Sequence, residues 1–182
     1  MKVIKYLFFL ILLCISGINV EAQVYRTSTA SVYFKSDAPL EVIEAKSQNL
    51  KGAINVSKRT FAFSIPINSF MGFNNPLQRE HFNENYLESK KYTNATFTGK
   101  IIEKIDFSKD GKHLVRAKGK LTIHGVTQER IIKSTLEIKE GKVLVNTNFT
   151  VLLAEHKIRV PKIVYQKISK EIFVEVDAIF EK

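Results

Sequence analysis

Along most of this chain apolar residues recur at every second position, a rhythm that strands satisfy and helices do not. Phe61, Phe63, Ile65 and Ile67 share one face, as do Ala95, Phe97, Gly99 and Ile101. Val115, Ala117, Gly119, Leu121 and Ile123 oppose Arg116, Lys118, Lys120 and Thr122. The same alternation runs through 32–34, 50–56, 132–138, 143–153 and 172–180. This predicts about eight strands. Short turns such as Ser57-Lys58-Arg59-Thr60, Ser108-Lys109-Asp110-Gly111 and Glu140-Gly141 join many of them, so neighbours run antiparallel. Each strand has one apolar and one mainly polar face, as a sheet wet on one side requires. Closing such a sheet on itself removes its exposed edges. A two-layer sandwich shares the alternation, but 113–123 and 143–153 are long for sandwich strands and suit tilted barrel staves.

One helix is expected to interrupt the strands. Asn75 can cap it, Pro76 fits its first position, and Gln78 stands where a capping-box partner would. It is predicted to run to about Ser89. Its apolar residues Leu77, Phe82, Tyr86 and Leu87 form no clean stripe, which suits a short lid or plug better than a core helix.

Residues 1–22 read as a cleaved signal peptide and 23–182 as a single domain. Lys2 and Lys5 precede a continuous apolar run from Tyr6 to Ile15, and Val20 and Ala22 stand at the -3 and -1 positions before Gln23. That run falls short of the roughly 20 residues a transmembrane helix needs, and no later run could span a membrane. Lipoprotein processing at Cys14 is the alternative, although Leu13 is bulky for it. Cleavage would leave 182 − 22 = 160 residues, enough for one substantial core. It would also remove the single cysteine, leaving an exported chain without disulfides, as suits a bacterial periplasm or secretion. Losing Lys2, Lys5 and Glu21 lowers the formal net charge from +10 by one, to +9. The lysines alternate with apolar residues and form no basic block of five or more, so nucleic acid is not an expected partner.

Some of these residues also resemble a known family. The run Arg79-Glu80-His81-Phe82, followed by Tyr86-Leu87, Tyr92 and Ala95-Thr96-Phe97, is similar to the YceI-like family. So is the segment Gly119-Lys120-Leu121-Thr122-Ile123-His124-Gly125-Val126-Thr127, and the likeness spans essentially all of 23–182. It implies an all-β fold, a single antiparallel lipocalin-like β-barrel of about eight strands with one short helix. It also implies a partner: a polyisoprenoid or other long-chain amphiphilic lipid held in the barrel. The chain departs from the family pattern at Ala30-Ser31, at Thr93 and within 155–170.

Two readings of the interior stay open from the residues alone. Phe61, Phe63, Phe97 and Phe149 point to the same side as the aliphatics and could simply fill a small barrel. Gly52, Ala95, Gly99, Ala117 and Gly119 on inward faces instead leave room for a narrow chain. With the resemblance, the expected apolar lining is Phe61, Phe63, Phe97, Leu121 and Phe149 on the wall, joined by Phe70, Phe73, Phe82 and Tyr86 from the 69–89 connection. Those last four are expected to form a portal that Gly72 lets open, a permanent plug being the alternative. Arg79 and His81 are candidates for head-group contacts.

Catalysis has little support. Ser69 and Ser134 lack a nucleophile-elbow context, and Glu80 with Glu84 reads as a solvated helix face. His81, His113, His124 and His156 lie at no metal-pair spacing, so structural or solvated roles are expected, with no metal and no cofactor. The functional expectation is a binding protein for transport, storage or sequestration of lipid, and not an enzyme. A filled barrel serving protein interaction is the alternative.

Overall fold

Every stretch of alternation becomes a strand in the computed structural model, which describes residues 23–182. The expected signal peptide, Cys14 included, lies outside the described residues. Nine strands form among the described residues: β1 (Val24–Asp37), β2 (Val42–Ser47), β3 (Lys51–Asn55), β4 (Thr60–Pro66), β5 (Asn94–Ile101), β6 (Gly111–Ile123), β7 (Val126–Lys139), β8 (Lys142–Leu152) and β9 (Glu171–Glu181). They pair antiparallel in the order β2-β1-β3-β4-β5-β6-β7-β8-β9, and β1 pairs with β9 to close the sheet.

The nine strands make eight staves, because β2 and β3 are one stave interrupted at residues 48–50. Val24 pairs with Asn55, and eight residues further along β1 Val32 pairs with Ser47, eight residues back from Asn55. The register therefore continues through the break. Only β3 goes on to pair with β4. At β2 the wall is completed instead by the chain after β4. Met71 bridges Lys46, and the hydroxyls of Ser47 and Ser69 lie 2.6 Å apart. The alternation did not reveal β2, since Val-Ile-Glu-Ala-Lys-Ser lacks a clean period and carries residues that strands disfavour. Likewise β1 begins at Val24, well before the expected 31–35 stretch, because its first residues pair with both β3 and β9.

The two ends of the barrel differ. At one, here called the base, connections are short: residues 56–59, 102–110 and the Glu140-Gly141 turn. Phe107 folds in from the 102–110 connection against Tyr25, ring centres 6.3 Å apart, and with Ile138, Val143 and Phe180 seals that end. The mouth collects the long connections 67–93 and 153–170, the loop 38–41 and the tight His124-Gly125 turn. In that turn both residues take positive φ, 51° and 70°, as a two-residue hairpin requires. A side chain at Gly125 would also strike the Tyr92 ring, whose nearest atom stands 2.3 Å from where a Cβ would be.

The helix α1 (Pro76–His81) starts as expected. Asn75 Oδ1 accepts the Gln78 N–H at 2.9 Å, with Pro76 at the first position. Gln78 does not complete a capping box. Its Oε1 accepts from Asn74 N–H, one residue before the cap, and its Nε2 donates to Glu41. α1 passes into a single π-helical turn, Phe82–Tyr86, and ends earlier than the predicted Ser89. Glu88 takes a left-handed φ of 45°, which stops the helix.

Candidate functional site

The barrel is not filled. Between the sealed base and the mouth lies a cavity of about 510 Å³, within the range of small-molecule sites, roughly 300–1,000 Å³. Its wall is almost wholly apolar. Phe63, Phe97, Ala117, Val145, Phe149, Val174 and Val176 all face inward, yet each stays only half-buried. A close-packed core would leave such residues fully covered. Phe61 stacks on Phe63 at 5.2 Å and meets Phe97 at 4.9 Å, while Phe63 reaches Phe180 at 5.6 Å, making one aromatic side of the wall.

Of the expected lining residues, Phe61, Phe63, Phe97, Leu121 and Phe149 stand on the wall, and Phe70, Phe82 and Tyr86 roof it from the 67–93 connection. Phe73 does not reach the cavity. It sits behind the roof, 6.0 Å from Phe34 and 5.1 Å from Phe82, among rings that hold one another. Phe70 is part of the buried core, 6 % exposed, packed on Phe34 and Phe82 at 5.3 and 5.9 Å. These rings form a packed roof.

The small inward residues divide. Ala95 and Ala117 border the cavity, but the glycines do not give it room. A Cβ on Gly52 would lie 2.1 Å from the Phe63 ring of its paired residue, so that glycine exists to let the ring lie flat on the sheet. Gly99 and Gly119 pair across β5 and β6, where a Cβ on either would meet the other strand's backbone at 2.1–2.4 Å. Room comes from the barrel's girth and the two alanines.

Arg79 is not placed for a head group. Its Nε and Nη2 donate to the carbonyls of Phe70 and Asn68 at 3.2 and 3.0 Å, tying α1 to the roof. His81 does border the cavity, exposed at the mouth beside Asn75, Gln78 and Leu77. Glu41 and Lys167 complete this polar ring. Deeper inside, few polar groups remain. Ser134 and Thr147 pair across β7 and β8, with Thr147 Oγ1 donating to the Lys133 carbonyl at 2.8 Å. Burial pushes the Tyr86 phenol above its ordinary range. Such a site can hold an extended apolar chain by dispersion and exclusion of water, with polar contact concentrated at one end.

Sequence reasoning missed one side of the mouth altogether. Leu153, Ile158, Val164, Lys167 and Ile168 border the cavity from the 153–170 connection. This segment has no alternation and no helical period, so no pattern marked it. It is anchored instead by side chains. Arg130 on β7 meets Glu155 at 3.0 Å and the Thr150 carbonyl at 2.8 Å, and Gln128 donates to the Glu155 carbonyl. His156, one of the histidines expected in a structural or solvated role, is fully buried, its Nδ1 3.0 Å from the Val126 carbonyl. His124 spans two mouth segments, with Nε2 2.7 Å from Glu88 and Nδ1 3.1 Å from the His156 carbonyl. These histidines brace the mouth. Among the described residues no group of three or more His, Cys, Asp or Glu side chains is placed to hold a metal ion, and no helix is long and apolar enough to cross a membrane.

A family model described as the YceI-like domain matches residues 23–180. No curated protein matches the chain. Among solved structures, a polyisoprenoid-binding domain from Saccharophagus degradans, implicated in plant cell wall breakdown, superposes with a TM-score of 0.73. The two are 15 % identical over 86 % of this chain and 97 % of that one. Burkholderia cenocepacia BcnA gives 0.67 at 14 % identity, covering 82 % of this chain and 95 % of its own. The Campylobacter jejuni YCEI protein gives 0.53 at 18 % identity, covering 92 % and 90 %. At these identities the likeness to each structure is one of fold.

Proposed function

The chain belongs to the YceI-like domain family, and from that premise and the shape of its cavity we propose that it binds a long-chain apolar or amphiphilic lipid, polyisoprenoid-like, within its barrel. The observation that carries this reading is the apolar cavity of about 510 Å³, sealed at the base, with its charged side chains at the mouth and only a few hydroxyls deeper inside. A chain laid along Phe61, Phe97 and Phe149 gains about 0.8 kcal/mol for each methylene removed from water. Eight or so such groups outweigh part of the several kcal/mol that association and ordering cost, without any specific polar contact. An amphiphile then lies tail inward, with its head beside His81, Gln78 and Lys167. The protein holds its ligand without transforming it, as transport, storage or sequestration requires.

Native mass spectrometry of protein purified from its own host, followed by organic extraction, tests this. A co-purifying chain lipid at near one per protein is the expected result. A homogeneous, ligand-free protein that also rejects long-chain probes would favour the alternative of a protein-interaction module.

Export belongs to the same proposal, since the Lys2–Ala22 pattern directs the chain to the periplasm or beyond. The N-terminus of protein recovered from the host envelope should lie at or near Gln23. Recovery of an acylated Cys14 as the first residue would replace cleavage with lipid anchoring.

A further inference from the structure

The mouth carries a surface that holding a ligand does not use. Four large apolar side chains stand out around it: Ile163 is 92 % exposed, Leu40 66 %, Tyr165 59 % and Leu77 58 %. They come from three separate connections, all of which border the cavity: Leu77 directly, Leu40 through Glu41 beside it, and Ile163 and Tyr165 through Val164 between them. The connections are tied together at this point. Leu40 N–H donates to the Gln166 carbonyl at 2.9 Å, Ser169 N–H to Ser36 Oγ at 2.9 Å, and Gln78 Nε2 to Glu41 at 2.9 Å. The apolar side chains therefore stand on linked segments at one opening, whereas outward leucines such as Leu114 stand elsewhere on the barrel wall.

Charge distinguishes this rim further. From His156 to Lys170 the chain carries Lys157, Arg159, Lys162, Lys167 and Lys170 with no acidic residue. All five are exposed, and none is in an ion pair among the described residues. The acids nearby are partly answered: Glu41 accepts from Gln78, and Asp37 lies 2.8 Å from Lys35, leaving Glu80 on α1 and Glu171 beside Lys170 exposed. Unpaired cations beside protruding Ile, Leu and Tyr side chains are the composition of a surface that sits in a lipid interface, apolar tips among the acyl chains and ammonium groups among the phosphates.

We propose that the mouth rim docks on a bilayer containing anionic lipid, so that the cavity opens directly onto its source or destination of ligand. This rests on the lipid-binding reading for its purpose, although docking can be measured apart from it. In water alone a long apolar chain must cross bulk solvent to reach the cavity; against a bilayer the same chain slides from one apolar phase into another. The 153–170 connection, which the strand pattern does not explain, then has two roles, part of the cavity wall on one face and the membrane contact on the other.

Sedimentation with vesicles tests docking, and a fluorescent long-chain probe in vesicle-free solution tests the cavity. The protein should sediment with vesicles of phosphatidylcholine mixed with phosphatidylglycerol and much less with phosphatidylcholine alone. The binding should weaken severalfold as NaCl rises from about 0.1 to about 0.5 M, since salt shortens the reach of these charges. Ile163→Ser with Tyr165→Ser should weaken it at least tenfold. Lys162→Gln with Lys170→Gln should weaken it by roughly fivefold per cation. Both variants should keep probe binding within about twofold, since none of these four residues borders the cavity. Equal binding to both vesicle types, or no loss in either variant, overturns the proposal even if the probe binds. Loss of probe binding in the unaltered protein would instead count against the lipid-binding reading. A concentration-dependent dimer that Ile163→Ser with Tyr165→Ser abolishes would assign the face to a second copy of the chain and also overturn it.

Discussion

Phe70→Ser should destabilise the protein by about 3–5 kcal/mol, the loss that follows deletion of a buried phenylalanine ring. The ring is 6 % exposed and is held between Phe34 and Phe82, so its removal leaves a hole in the roof as well as a hydroxyl there. Denaturant unfolding should show a lower midpoint with an unchanged slope. Read from the sequence, 69–89 allowed either a hinged portal or a plug, and the two differ sharply here. A portal residue would be substituted at little cost to stability. A loss below about 1 kcal/mol would mean that the roof opens and that Phe70 is exposed in much of the population.

Ala117→Phe should weaken binding of a long-chain fluorescent probe at least tenfold while leaving stability within about 1 kcal/mol. Ala117 faces inward from β6, opposite Ile101 and Ile132, and borders the cavity while only half-buried. A phenyl ring there takes up space that a ligand chain would occupy and gains apolar contacts of its own. An overpacked wall would respond in the opposite way, losing about 1–3 kcal/mol with probe binding unchanged. Leu114→Ser is the control. Leu114 is 84 % exposed on the outer face of the same strand, so neither quantity should move.

Much of the fold was legible because a barrel wall imposes a local rule. Each inward residue must be apolar and each outward one wet, so β4 through β9 declared themselves by alternation. That rule fails where the wall is supported from elsewhere. β2 is half of a stave whose other half is β3, and Ser47 is held by Ser69 across the break, so neither its length nor its composition needed to resemble a strand. The cavity was legible in its phenylalanines and misread in its glycines. Gly52 is a cushion for Phe63, and no single-strand pattern can show which ring on a neighbour will lie over it. Arg79 carried the expected polar chemistry at the expected place, but two backbone carbonyls had prior claim on its guanidinium. The 153–170 connection was illegible because its contacts are those of individual side chains with distant strands, such as Arg130 with Glu155.

The pairing of β1 with β9 also sets the order of events when the chain folds. The hairpins β6–β7 and β7–β8 join neighbours in sequence and can zip as soon as their turns exist. β1 and β9 stand more than a hundred residues apart, with Thr27 against Phe180 and Lys35 against Phe173, and must find each other after everything between them has been arranged. Contacts of such long range make folding slow. Until Glu171–Glu181 has been synthesised, β1 and β8 each keep an open edge and the apolar wall has no inside. The protein thus spends its early life as an unclosed sheet, prone to pairing with its own kind. Until its last strand is in place, the chain has a wall and is not yet a container.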